Sequence, residues 1–296
     1  MSKPEMLVAI DLSNFSQTVI KAAFEYCEKM NYSPTFIYVD QLLAEFRPSE
    51  FILKHTDITE VRKTDLEEEK KEKLIKLFSK ESIPSYTFEV WKGHPVDGIL
   101  NSINNNQSKL LFTGLRGHNR LHQFFLGSVA QRLIEMCPIP QIAIHENFTG
   151  FPQKPLLCID GTDSSKIDRF SMLYDMVKIS EGRLDLLHII NLSMVFDFIQ
   201  GQSEGEVFNK AIKTLELKAM DKLQKAYLSC QFSYNIKVSA DYSLPEGEHI
   251  LKTATMNEND LIVLGSNQYK GLKKFFMGST TNFIAKEACM SIMIVK

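Results

Sequence analysis

The chain has 296 residues, 44% of them apolar and 24% charged, which is room for two ordinary domains and too apolar a composition for a disordered chain. Its 34 basic and 36 acidic residues leave a formal charge of −2, which excludes the basic field that nucleic acid as main partner requires. The five cysteines are scattered without metal-ligand spacing, and no apolar window approaches ~18 residues. Buried, reduced thiols in a cytoplasmic chain with no membrane partner are expected.

Short apolar runs alternate with longer amphipathic stretches, a pattern that predicts β-α-β units on a parallel sheet. Strands are read at 6–10, 34–39, 86–91, 109–113 and 141–145, with helices at 15–30, 65–81, 95–104 and 127–136 between them. From Glu146 to Pro155, Asn, Gly and Pro break the periodicity, as in a short ordered linker. The pattern then begins again, with strands at 156–160, 184–190, 232–238, 260–264 and 291–295 and helices at 164–180, 205–229, 246–257 and 278–288.

The second pattern repeats the first in detail. Met6–Asp11 returns as Pro155–Asp160, offset by 149, and Gly114 and Gly127-Ser128 return as Gly265 and Gly278-Ser279, offset by 151. Two tandem α/β domains, 1–147 and 153–296, are expected. Each should be a doubly wound, five-stranded parallel sheet with helices on both faces and a ligand crevice at the carboxyl ends of its strands.

Several conspicuous residues have ordinary readings. The run Glu67–Lys73 mixes signs and precedes apolar residues at helical spacing, so it reads as a solvated helix face. His94, His118, His122 and His145 lack the helical pairing of a zinc site and are expected as polar surface residues. Cys137 has no resolving cysteine nearby, Pro138 and Pro140 shape entry into the next strand, and Trp91 ends an apolar strand as core or rim packing.

Gly114-Leu115-Arg116-Gly117, nine residues and then Gly127-Ser128-Val129 run from the end of a strand to the start of a helix. The first glycine allows a sharp turn, and the second brings backbone N–H groups close to a ligand. Gly127-Ser128 supplies a helix N-terminus, whose unpaired N–H groups and dipole attract anions, with a hydroxyl as a further donor. The arrangement suits a phosphate chain.

These residues resemble the signature of the universal stress protein family, Gly-x-x-Gly, nine residues, Gly-Ser or Gly-Thr. The resemblance extends over nearly the whole chain twice. It takes in Asp11 and Asp160, the segments Phe36–Asp40 and Leu186–Ile190, and Gly93-x-Pro95. It implies ATP or a related adenine nucleotide as ligand. Asp11 would lie near the nucleoside or a bound Mg²⁺, the backbone of Val39 at adenine, and Gly114, Gly117, Gly127, Ser128 and Val129 around ribose and phosphates. Arg116, His118 and Arg120 line the same loop, and Arg116 is carried as a phosphate contact.

The first copy departs from the pattern at the opening of its fourth strand, where Lys109 replaces an acid kept as Asp260 in the second; this reads as surface variation. In the second copy Gln268 replaces the second glycine, and Ser243-Leu244-Pro245 replaces Gly-x-Pro. Asp160, Ile189, Gly265, Gly278, Ser279 and Thr280 remain as a vestigial site, with Gly278-Ser279 explicable as a helix cap.

The leading functional expectation is a nucleotide-binding stress-response protein acting as a ligand-dependent switch or adaptor, with its ligand in the first domain. No catalytic residue is assigned. The chain has no Lys of a Gly-Lys-Ser/Thr loop and no acidic pair for two-metal chemistry, so any ATP hydrolysis should be slow and incidental. An adaptor that has lost its ligand is the alternative. An ATP pyrophosphatase-like enzyme is disfavoured because Asp11-Leu12-Ser13-Asn14 lacks the glycines such a loop needs. The last strands, 141–144 and 291–294, should pair the copies as an internal pseudo-dimer, with a further homodimer left open.

Overall fold

The computed structural model describes residues 3–40, 72–73, 76–78, 86–115, 126–159, 168–190, 205–228, 230–240, 244–265 and 278–296. The chain divides into two compact units, Met1–Phe148 and Thr149–Lys296.

In the first unit, β1 (Glu5–Ile10), β2 (Ser33–Asp40), β3 (Thr87–Lys92), β4 (Leu110–Gly114) and β5 (Gln141–Ile144) alternate with α1 (Ser16–Met30), α2 (Pro95–Asn106) and α3 (Ser128–Met136). The strands run parallel in the order β3-β2-β1-β4-β5. A parallel sheet is covered on both faces, so its central strands are apolar along their length instead of alternating. Period two then sorts their side chains. Leu7, Ile37, Val39 and Leu111 share a core with Val96, Ile99 and Ile103 of α2 and Leu133 of α3. The other face presents Phe36 and Phe112, whose rings lie 5.3 Å from Phe24 and 4.9 Å from Tyr26 of α1. α1 buries Val19, Ile20, Ala23, Tyr26 and Cys27, one stripe at helical spacing. It ends at Asn31, whose φ of 58° is a left-handed conformation that asparagine tolerates.

The second unit repeats the plan with β6 (Pro155–Ile159), β7 (Arg183–Ile189), β8 (Ser233–Ser239), β9 (Leu261–Gly265) and β10 (Ser291–Val295). Its helices are α4 (Ser171–Ser180), α5 (Glu206–Tyr227), α6 (Glu246–Met256) and α7 (Ser279–Glu287). Parallel pairing gives the order β10-β9-β6-β7-β8. The expected α/β fold with parallel sheets is present in both units.

Three expectations need correction. In the described part of the helix read at 164–180, residues 168–170 form a 3₁₀ turn and the α-helix runs from Ser171. Not all thiols are buried. Cys27 and Cys137 are, Cys158 and Cys230 are partly exposed, and Cys289, just past α7, is exposed; none of the five is in a disulfide. His145 is no surface residue but 2% exposed. It directly follows β5, in a turn where Phe148 N–H donates to its carbonyl and Asn147 N–H to its Nδ1 (both 3.0 Å). Most of the helix read at 65–81, with Glu67–Lys71, lies outside the described residues.

Candidate functional site

The strand order of the first unit places its crevice. The chain winds outward through β1, β2 and β3, then returns to lay β4 on the other side of β1. Loops leaving β1 and β4 therefore part in opposite directions, the switch point where open α/β sheets take ligands. Asp11 and Gly114 stand at the carboxyl ends of these two strands.

Asp11 is exposed at its start of the β1–α1 connection. Its Oδ1 accepts from Ser13 N–H and Ser16 Oγ–H, both at 3.0 Å, and its own N–H donates to Ser16 Oγ at 3.2 Å. These bonds tie the carboxylate to the opening of α1. They also hold Leu12 at φ 61°, a left-handed conformation that costs a leucine roughly 1–2 kcal/mol. Tyr38 is nearby on β2: burial first, then the charges of Asp40 and Asp11, push its hydroxyl up to about 12.

Val39 is buried near the end of β2 and is the register partner of Trp91 on β3. Over it lies Gly98 of α2, where a Cβ would stand 2.9 Å from Val39 Cγ2 and 3.6 Å from Trp91 Cβ. The helix can approach this closely only because Gly98 has no side chain. Gly93, at φ 132° with open space around it, makes the turn into α2. Glu89 then joins α2 to β3. Its Oε2 accepts from Trp91 Nε1–H at 2.9 Å and Ser102 Oγ–H at 2.8 Å, and its Oε1 from Asn106 Nδ2–H at 2.8 Å.

Gly114 ends β4 opposite Ile144. Leu115 N–H donates to Ile144 O at 2.8 Å, and Gly127 N–H donates to Leu115 O at 3.3 Å. The loop between them therefore starts and closes at one point, which sets the N-terminus of α3 beside the carboxyl end of β4. Gly127 is the N-cap, Ser128 opens the helix and is exposed, and Val129 packs partly on the core below. Among the described residues no side chain caps this end, and its first turn holds no acid. Arg116, Gly117, His118, Arg120 and His122 lie outside the described residues.

In the second unit Ile189 ends β7 and Gly265 ends β9, while Gly278 is the exposed N-cap of α7 ahead of Ser279. The cap is the glycine itself, since Ser279 makes no capping hydrogen bond. Thr280 Oγ–H donates to Glu246 Oε2 at 2.7 Å. A Cβ on Gly265 would collide with the guanidinium of Arg169, a residue not singled out from sequence. Asp160, Ser243 and Gln268 lie outside the described residues.

The Lys109–Asp260 difference belongs to the opposite end of the sheets. Lys109 is exposed, whereas Asp260 accepts from the N–H groups of Gln153 at 2.6 Å and Lys154 at 3.0 Å, fastening the chain as it enters β6. His94 is the N-cap of α2, 4.0 Å from Asp97. Among the described residues no group of three or more His, Cys, Asp or Glu could hold a metal ion, and no helix is long and apolar enough to cross a membrane.

The fold has parallels among solved structures. A universal stress protein from Archaeoglobus fulgidus DSM 4304 matches 100% of this chain with 99% of its own, at a TM-score of 0.64 and 16% identity. A protein of unknown function from Pseudomonas aeruginosa PAO1 matches 100% of this chain with 93% of its own, at a TM-score of 0.64 and 14% identity. A universal stress protein solved in complex with cAMP matches 49% of this chain with 98% of its own, at 17% identity and a TM-score of 0.31. No curated protein is matched. The model of the universal stress protein family matches residues 4–145 and again 153–296. The chain belongs to the universal stress protein family and carries its domain twice.

Proposed function

We propose that the first unit binds an adenine nucleotide, ATP or a relative, and that the occupied chain works as a ligand-dependent switch or adaptor in a stress response. The observation that carries this reading is the N-terminus of α3. It is held beside the end of β4 by the Gly127–Leu115 bond, with no side-chain cap among the described residues and no acid in its first turn. Such an end attracts an anion through its N–H groups and dipole.

In this reading Gly114, Gly117, Gly127, Ser128 and Val129 hold ribose and phosphates, with Arg116 at the terminal phosphate. Val39 meets adenine through its backbone, and Asp11 stands near the nucleoside or a Mg²⁺ ion. Binding, not turnover, is the role assigned. Asp11, the acid beside the crevice, already accepts two hydrogen bonds from the opening of α1.

Trp91 is the single tryptophan and the register partner of Val39, so its fluorescence should report occupancy of the crevice. ATP is expected to change this emission saturably, and denatured purified protein should release an adenine nucleotide detectable by mass spectrometry. Absence of both a co-purified nucleotide and a saturable response at millimolar ATP would leave the adaptor without a ligand.

A further inference from the structure

The second unit handles the same two positions, the end of its fourth strand and the N-terminus of its last helix, in a different way. At the strand end, the guanidinium of Arg169 lies directly on Gly265, with Nη2 and Cζ the atoms nearest to where a Cβ would stand. Nη2 donates to the carbonyl of Val295, the register partner of Gly265, at 3.4 Å. Cζ sits 5.1 Å from the ring centroid of Phe170, within cation–π range. A planar cation is thus held by bare backbone, a carbonyl and an aromatic face. At the helix, Glu246 accepts the hydroxyl of Thr280 in the first turn of α7, where an external anion would otherwise be drawn. Its charge also reaches Cys158, the second-last residue of β6: burial first, then Glu246, raises that thiol.

Among the described residues the first unit has neither device. Counting back from the helix ends Met30 and Ser180, Arg169 stands where α1 has Val19, which is buried in the core. In the second unit the α-helix starts only at Ser171, and Arg169, in the 3₁₀ turn before it, lies on Gly265. With Pro245 matching Pro95, Glu246 stands where α2 has Val96, a buried side chain with no charge to offer.

We propose that the second unit is self-ligated: Arg169 and Glu246 occupy the strand end and the helix N-terminus that a nucleotide would need, so this copy is held shut by its own side chains. Loss of the second glycine of the loop is then only part of why the copy is vestigial. The crevice has been refilled with an internal ion of each sign.

A double-mutant cycle on the full chain tests this without nucleotide, so its result is independent of what the first unit binds. The unfolding of the second unit can be followed by calorimetry and by near-ultraviolet tyrosine signal, while Trp91 reports the first. Gly265→Ala adds a methyl whose nearest neighbours are all atoms of Arg169. It is expected to lower the second-unit midpoint by roughly 4–8 °C in the wild-type background and by almost nothing in Arg169→Ala, because the two act through one contact. Methylguanidinium at millimolar concentration should restore part of the lost midpoint in Arg169→Ala, and methylammonium, which is not planar, should not. Inorganic phosphate should leave the wild-type second transition in place and raise that of Glu246→Ala. Additive effects of Gly265→Ala and Arg169→Ala, equal rescue by both cations, or a saturable phosphate shift in the wild-type second unit would each overturn the proposal.

Discussion

Gly98 illustrates how one missing side chain sets the site. A Cβ there would approach Val39 Cγ2 to 2.9 Å and Cγ1 to 3.3 Å, and valine is stiff at χ1, so the helix would have to move away. Gly98→Ala gains about 1 kcal/mol of helix propensity but incurs an overpacking cost of about 1–3 kcal/mol. A net loss of about 1 kcal/mol in urea unfolding is expected, together with weaker ATP binding because Val39 shifts. A stabilised variant with unchanged binding would show that the contact relaxes freely. Ser128 is the opposite case. Its hydroxyl caps nothing, so Ser128→Ala should leave stability nearly unchanged. If the hydroxyl meets a phosphate, the change costs about 1.5–3 kcal/mol of ATP affinity and leaves adenosine affinity intact. Calorimetric titration with both ligands decides, and equal weakening would remove Ser128 from the phosphate site.

Between elements, the bonds on Glu89 couple β3 to α2 beside that crevice. Burial would raise its carboxyl, but hydrogen bonds from Asn106, Ser102 and Trp91 outweigh burial and hold it below the ordinary carboxylate value. A group with a lowered folded value binds its proton less readily when folded than when unfolded. Its contribution is therefore complete at neutral pH, begins to fade near the ordinary value of about 4.3, and is lost as pH falls through the folded value. Wild type should lose more stability between pH 7 and pH 3 than Glu89→Gln does, with Trp91 emission changing over the same range. Parallel acid limbs for the two proteins would show that the cluster is not coupled to folding.

At the scale of the whole molecule, two copies of one fold differ in what they leave open. One ATP per chain is expected by calorimetry, and Gly117→Gln, which imitates Gln268, should weaken that single site. Two equivalent sites in wild type, or unchanged affinity in the variant, would remove the steric argument. Among the described residues of its own unit β5 pairs with β4 alone and β10 with β9 alone, although both are apolar after their first residues, Gln141 and Ser291. Uncovered apolar edges invite pairing. Residues 1–148 expressed alone should accordingly dimerise or aggregate in sedimentation, while the full chain should need no second copy to cover these edges. A strictly monomeric, soluble first unit at high concentration would exclude edge pairing as the link between the copies.

Strand and helix identity, parallel pairing and the duplication were legible in the sequence because each rests on local periodicity or on self-comparison at a fixed offset. Gly114 and Gly127 were legible for a related reason: a strand end or helix start is a local event, and glycine marks it; Asp11 and Val39 were singled out through the family resemblance. What depends on packing between distant segments was not legible. Gly98 and Glu89 were not singled out in the sequence, since only the fold lays β2 against the one and brings Ser102 and Asn106 of α2 to the other. His145 read as polar surface until its turn folded back. Arg169 and Glu246 drew no notice because nothing in their neighbouring residues relates them to Gly265 and Thr280, which lie 96 and 34 positions away. Only the tertiary structure lays that guanidinium on the end of β9 and that carboxylate at the first turn of α7, since both contacts form between segments whose proximity the sheet order alone creates.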